Sequence, residues 1–104
     1  MAEIIWTDDI FDNSLAAIYQ ITIGTHKYIG STKRNPKIRI SEHLYLLEHG
    51  KHYNKKLQAC YDAHDSAKFY ILEYTSEIKI WEREQWYVDS VHPDLNIIQK
   101  IAKY

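Results

Sequence analysis

Three groups of side chains have types and spacings that suit chemistry. The first is a carboxylate in a costly place. From Ser76 to Ser90 the apolar residues recur at helical spacing. Stepping about 100° per residue from Glu84 puts Ile80 and Val91 within about 40° on one side, with Tyr87 just beyond them. Val88 and Trp81 fall about 40° and 60° away on the other side. Glu84 thus lies on the midline of the core-facing stripe, while Lys79, Glu82 and Asp89 point outward. A carboxylate there needs a partner. A metal ion, an arginine in a buried salt bridge and a functional cleft all fit. The second group is Arg39 and His43, four apart at the flank of a stripe made by Ile40, Leu44 and Leu47. Together they can meet a phosphate, or simply cap the rim of the core. The third is Tyr19 and Tyr28, each within an apolar, β-branched run, where core tyrosines are also common.

The elements that must position these groups follow from periodicity and turn chemistry. Residues 15–23, LAAIYQITI, read as a strand, Gly24-Thr25-His26 as a turn, and residues 27–31 as the returning arm of a hairpin. Asn35-Pro36 supplies a cap and a first-turn proline for a helix that stops at Gly50. A second helix fits Asn54 to His64. Residues 67–74, AKFYILEY, are apolar on both faces, as a central strand should be. Ser76 is expected to cap the third helix and Pro93 to end it. The order β-β-α-α-β-α predicts a small α/β domain: a three-stranded antiparallel sheet flanked by helices. Residues 1–14 form an acidic extension whose patches Ile4-Ile5-Trp6 and Ile10-Phe11 suit an extra strand or a packing arm. Residues 15–104 then make one domain.

Composition narrows the class. The chain of 104 residues has material for one domain and can hold a core without staples. Its single cysteine, Cys60, excludes a disulfide scaffold. Cys60 and His64 share a helix face, but no second Cys or His pair at ligand spacing completes a set, so zinc is not expected. His43, His49 and His52 lack zincin spacing. No apolar run approaches the ~18 residues of a membrane span, and the acidic N-terminus is unlike a signal peptide. The expected compartment is reducing and cytoplasmic, with no membrane partner. The net charge of −1 is unevenly spread. Residues 1–25 carry four acids and no Lys or Arg, whereas residues 26–56 carry eight Lys/Arg against two acids, a net of +6. Such a segment is either a phosphate footprint or a solvated helix face.

Ala17-Ile18-Tyr19 followed by Tyr28-Ile29-Gly30 resembles the signature of the GIY-YIG nuclease family. The resemblance continues in order through Arg39-x-x-x-His43, through Glu84 in Trp81-Glu82-Arg83-Glu84-Gln85-Trp86, and through Asn96 in Asp94-Leu95-Asn96-Ile97. Gly50-Lys51-His52 before Leu57-Gln58 is similar to the catalytic domains of phage intron-type homing endonucleases. The match covers about residues 15–98, and its glutamate is the residue that the helical stripe had already isolated. Ala17 stands where the family has glycine. The eight-residue connector between the tripeptides is short, and Gly30 to Arg39 is one residue longer than in the homing enzymes.

The resemblance implies hydrolysis of a DNA phosphodiester to a 5′-phosphate and a 3′-hydroxyl. Its implied catalytic set is Tyr19, Tyr28, Arg39, His43, Glu84 and Asn96. Glu84 would hold one Mg²⁺ (or Mn²⁺) per active site, Arg39 would bind the scissile phosphate, and Tyr19 would orient or deprotonate the water. His43 would take the Tyr19 proton or hold the hydroxyl in place. Tyr28 would touch the phosphate or fix Tyr19, and Asn96 would brace the site. Lys33, Arg34, Lys37, Lys51, His52, Lys55 and Lys56 are the expected DNA contacts. The reading is of a standalone phage or mobile-element nuclease that nicks or cuts, with a homodimer or partner protein supplying specificity. Trp86, on the outward face opposite Glu84, suits such a contact. The competing reading is a catalytically weak DNA- or protein-binding module of the same fold. It leaves unexplained a carboxylate among phosphates.

Overall fold

The computed structural model describes residues 3–6, 16–33, 36–64 and 66–96. Its elements are β1 (Glu3–Trp6), β2 (Ala16–Ile23), β3 (His26–Thr32), α1 (Pro36–Glu48), α2 (Lys55–Ala63), β4 (Ser66–Thr75) and α3 (Ile80–Val91). The expected antiparallel sheet is formed by β2, β3 and β4. The segment Glu3–Trp6 of the N-terminal extension adds a fourth strand, pairing in parallel with β4, so the sheet order is β1-β4-β2-β3. Both β4 and β2 are therefore interior strands, in keeping with their apolar faces.

Local chemistry sets the joints. Gly24 begins the β2–β3 turn with φ 61°, the first-position geometry that a type II′ hairpin asks of glycine. Helix α1 ends in a Schellman arrangement. Gly50 has φ 67°, its N–H bonds the Leu47 carbonyl at 3.3 Å, and the Lys51 N–H bonds the Leu46 carbonyl at 2.8 Å. Asn54 caps α2 by accepting from the Leu57 N–H at 3.0 Å. The expected Ser76 cap is corrected. Its hydroxyl accepts from the Lys79 N–H at 3.3 Å in the turn that precedes α3, and the helix begins at Ile80 without a side-chain cap. The expected Asn35 cap lies outside the described residues.

Alternation along β2 divides the core. Tyr19, Ile21 and Ile23 face α1 and α2, packed with Ile40, Leu47, Leu57 and Phe69. Ala16 and Ile18 face α3, packed with Ile29, Ile80 and Val88. Glu84 is buried on that second side, between Ile80 and Val88 on the α3 stripe. The buried stripe of α1 differs from the expected one: it is Pro36, Ile40, His43 and Leu47, with Leu44 only half-buried. His43 takes the central place because the sheet beneath offers it a hydroxyl rather than a methyl.

The outer edge of β3 is covered by the segment after α3. Asp94 accepts from the Lys27 N–H at 2.8 Å, and the Leu95 N–H donates to the Lys27 carbonyl at 3.0 Å. The Asn96 amide then closes on both backbone groups of Ile29, each bond 2.9 Å long.

Candidate active site

Tyr19 points from β2 under α1, where its hydroxyl lies 2.6 Å from His43 Nε2. The opposite nitrogen of that ring, Nδ1, is 2.7 Å from His52 Nε2, and the two rings are nearly parallel at 13°. His52 Nδ1 in turn accepts the backbone N–H of Asn54 at 3.0 Å. Tyr19, His43 and His52 are 1 %, 0 % and 0 % exposed, so this chain of bonds is sealed from bulk water.

Burial, with the Arg39 charge adding to it, lowers His43 to about 3 and His52 to about 4. Both imidazoles are neutral at pH 7, and one tautomer pair satisfies every contact. A backbone amide can only donate, so His52 Nδ1 is the acceptor and its proton is on Nε2. That proton goes to His43 Nδ1, which places the His43 proton on Nε2, facing Tyr19. His43 therefore donates to the Tyr19 oxygen. Arg39 acts on the same oxygen: burial raises the Tyr19 pKa, and the guanidinium opposes the rise. The His43 donor and the Arg39 charge reduce the cost of the phenolate without reversing the upward shift that burial imposes.

Helix α1 places Arg39 one turn before His43. Its guanidinium donates to the Tyr53 hydroxyl at 3.0 Å and reaches Glu42 at 3.5 Å. Tyr28 lies on the same side of the sheet, its ring centre 5.5 Å from His43 and 6.5 Å from Tyr19. Burial holds its hydroxyl in the protonated form. The loop before α2 is braced from below. Gln58 accepts from the His52 N–H at 3.0 Å and donates to the Leu47 carbonyl at 2.9 Å, while Asn54 donates to the Leu95 carbonyl at 2.8 Å.

Glu84 approaches from the other side of the sheet. Ser31, the residue after Gly30 at the β3 edge, donates its hydroxyl to the Glu84 carboxylate. Burial raises the carboxyl pKa and the Ser31 bond only partly offsets it. Its charge is felt at the Tyr19 hydroxyl across the sheet. Among the described residues no Lys or Arg ion-pairs with it. A desolvated carboxylate without a protein cation fits a hard divalent ion that takes its other ligands from water and substrate.

The model of the GIY-YIG catalytic domain matches residues 15–96, from before Tyr19 to Asn96. The chain belongs to the GIY-YIG family. Among solved structures it is similar to the catalytic domain of the homing endonuclease I-TevI, at TM-score 0.68 and 30% identity over 85% of this chain and 99% of that one. A glutamate-to-alanine variant of the same I-TevI domain matches at TM-score 0.73 and 27% identity, over 86% of this chain and 99% of that one. No curated protein matches.

Within this GIY-YIG domain the expected residues are not all in one place. Tyr19, Tyr28, Arg39 and His43 are assembled on the α1–α2 side, whereas Glu84 lies on the α3 side, held by the Ser31 hydroxyl. Asn96 is buried against the Ile29 backbone, between the Tyr28 and Gly30 positions. His52 requires correction. Expected as a phosphate contact, it is fully buried with both ring nitrogens engaged, and it orients His43 instead. Lys33, Lys37, Lys51, Lys55 and Lys56 are exposed, with Lys33 lying over the Trp81 ring at 4.6 Å. Arg34 lies outside the described residues. Sequence reasoning did not single out Ser31 or Tyr53, and named Gln58 only as part of the stretch similar to homing endonucleases. The signal available was their closeness to named residues: Ser31 follows the YIG glycine and Tyr53 follows His52.

Proposed function

We propose that this GIY-YIG protein is a divalent-metal-dependent DNA endonuclease. Water attacks the phosphorus, the bond to the 3′-oxygen breaks, and the products are a 5′-phosphate and a 3′-hydroxyl. The observation that carries this reading is the Tyr19 oxygen held by a donor from His43 and by the Arg39 charge. Tyr19 orients the water and, once its own proton has been lost to solvent to give the phenolate, accepts the water's proton. His43 does not act as the base toward Tyr19, since its Nε2 already bears hydrogen; it lowers the cost of the phenolate. Arg39 binds the scissile phosphate and its growing charge. Tyr28 bounds the phosphate pocket, and Asn96 fixes the strand carrying it. Glu84 would hold Mg²⁺ or Mn²⁺, which would supply Lewis-acid stabilisation of the charge on the departing oxygen.

DNA is the partner, with Lys33, Arg34, Lys37, Lys51, Lys55 and Lys56 as its phosphate contacts. One active site per chain cuts one strand per encounter, so a monomer nicks and a dimer linearises. The likeness to intron endonuclease domains supports a mobile-element or phage origin, acting inside the cell.

The test is supercoiled plasmid incubated with Mg²⁺ or with EDTA, beside the Glu84→Gln variant. Mg²⁺-dependent nicking by the wild type, absent in the variant, is the expected result. DNA shifted on a gel but never cut, under every divalent ion tried, overturns the enzyme reading in favour of a binding module.

A further inference from the structure

The fold brings together a second set of ligand-type side chains that the sequence does not. His26 comes from the hairpin turn into β3, Cys60 and His64 from the end of α2, and Asp94 from the segment that covers the β3 edge. One ligating atom each of His26, Cys60 and His64 lies within 4.8 Å of the other two. Spacing alone offers only Cys60 and His64; the third ligand is supplied by tertiary structure. These residues line one cleft, together with Lys56 and Leu95. They share none of the hydrogen bonds that link Tyr19, His43 and His52.

A cluster of this size is common without a metal, so the orientation of the rings decides. His64 donates Nδ1–H to the Cys60 carbonyl at 2.8 Å. His26 donates Nδ1–H to the Asp94 carboxylate at 2.5 Å. Both imidazoles are therefore fixed in one tautomer, with the basic lone pair on Nε2. Metal-bound histidines are held in this way, one nitrogen on the ion and the other on a carboxylate or backbone carbonyl. The two rings sit 5.8 Å apart at 78°, presenting an edge to a face. Gly24 makes room for this: a β-carbon there would fall 3.0 Å from His64 Nε2.

The donor set defines the ion. Two imidazoles and a thiolate suit Zn²⁺ and are poor ligands for Mg²⁺. Bonds of about 2.0–2.3 Å in a tetrahedron place donors roughly 3.3–3.8 Å apart, so closure draws atoms now up to 4.8 Å apart together by about 1–1.5 Å, with Cys60 Sγ at present 3.8 Å from His64 Nδ1. Charge also balances: a dication meets the thiolate and, through His26, the Asp94 carboxylate.

We infer that His26, Cys60 and His64 form a Zn²⁺ site, with Asp94 orienting His26 and water in the fourth position. The site ties the β2–β3 turn to α2 and to the segment beneath the Ile29 strand.

The probe is Co²⁺ added to chelator-stripped full-length protein, read by absorption, with Zn²⁺ retention measured by elemental analysis after dialysis. The expected result is one equivalent of Co²⁺ with a thiolate charge-transfer band and tetrahedral visible bands, displaced by Zn²⁺, together with a rise in melting temperature. Cys60→Ala loses the charge-transfer band and binds at least ~100-fold more weakly, while its circular dichroism stays native. Asp94→Asn weakens binding by about 10–100-fold. Glu84→Gln leaves the spectrum unchanged, which separates this site from the one for catalysis. Folded wild type that gives no thiolate band, or a spectrum that persists in Cys60→Ala, overturns the assignment.

Discussion

Gly30 lies directly opposite Tyr19 across the β2–β3 ladder, and a β-carbon at Gly30 would fall 2.5 Å from the Tyr19 hydroxyl oxygen. The strand must carry no side chain there for the hydroxyl to reach His43. Gly30→Ala is therefore expected to displace the phenol. Nicking should fall by about 10² or more, with an overpacking cost of about 1–3 kcal/mol. Plasmid-nicking rates and thermal melts of the purified variant check both parts. Wild-type activity in Gly30→Ala would remove Tyr19 from the reaction.

The Asn54 amide fixes two tautomers in succession, ending with a proton on His43 Nε2. Long-range ¹H–¹⁵N spectra should show both His43 and His52 protonated at Nε2. His52→Asn removes the donor to His43 Nδ1 and frees the ring to take the other tautomer. We expect the cleavage rate to drop by about 10–10², with the DNA affinity unchanged. A gel shift beside single-turnover kinetics separates the two.

The same pair shapes the response to acid. An unfolded histidine takes up a proton near pH 6.5, whereas folded His43 and His52 resist until about 3 and 4. In that window the unfolded state binds more protons, so stability is full above pH 6.5 and is lost as pH falls toward 4. The loss should be on the order of a few kcal/mol. Glu73, held below the usual carboxylate range by Arg83, adds to it as pH falls further. Glu84 runs the other way, because its raised pKa makes the folded state the better proton binder just above the usual carboxylate range. Urea unfolding from pH 8 to 4 measures the sum, and the acid limb should be shallower in His52→Asn.

Glu84 carries a desolvated charge whose described protein partner is the Ser31 hydroxyl. Glu84→Gln should abolish Mg²⁺-dependent cleavage and leave the metal-free protein as stable as wild type or slightly more so. Ser31→Ala keeps the carboxylate but not its orientation. Its Mg²⁺ requirement should rise by about 10–100-fold. Mg²⁺ titrations of the nicking rate distinguish the two variants.

The exposed lysines predict a salt-dependent affinity. If Lys33, Lys37, Lys51, Lys55 and Lys56 all meet phosphates, log K should fall with log salt at a slope of about −4 to −5. Replacing any one by alanine should reduce the slope by about 1. Fluorescence anisotropy across a salt series gives the slope. A shallow slope would mean that the basic segment is only a solvated face.

Periodicity made much of this architecture legible. The hairpin, the three helices and the buried Glu84 all follow from spacing, because each depends on neighbours within a turn or a strand pair. The α1 face did not. A helical wheel ranks Leu44 above His43 as a core residue, and only the hydroxyl from β2 reverses that order. His52 was misplaced for a related reason. A histidine in a basic loop looks exposed until the Asn54 cap and Gln58 draw it inward. The parallel pairing of Glu3–Trp6 with β4 joins segments some 60 residues apart, and nothing local announces the partner.

The backbone bonds that the segment after α3 makes to Lys27 and Ile29 also govern what the sheet can join. An outer strand normally offers a row of free donors and acceptors on which another chain can template itself. Here Asp94, Leu95 and Asn96 occupy that row as a short surrogate strand. Strand addition is foreclosed along this stretch of β3. Any assembly on that flank must be built from side chains, and the edge nearest the Tyr19 hydroxyl is protected from amyloid-like stacking.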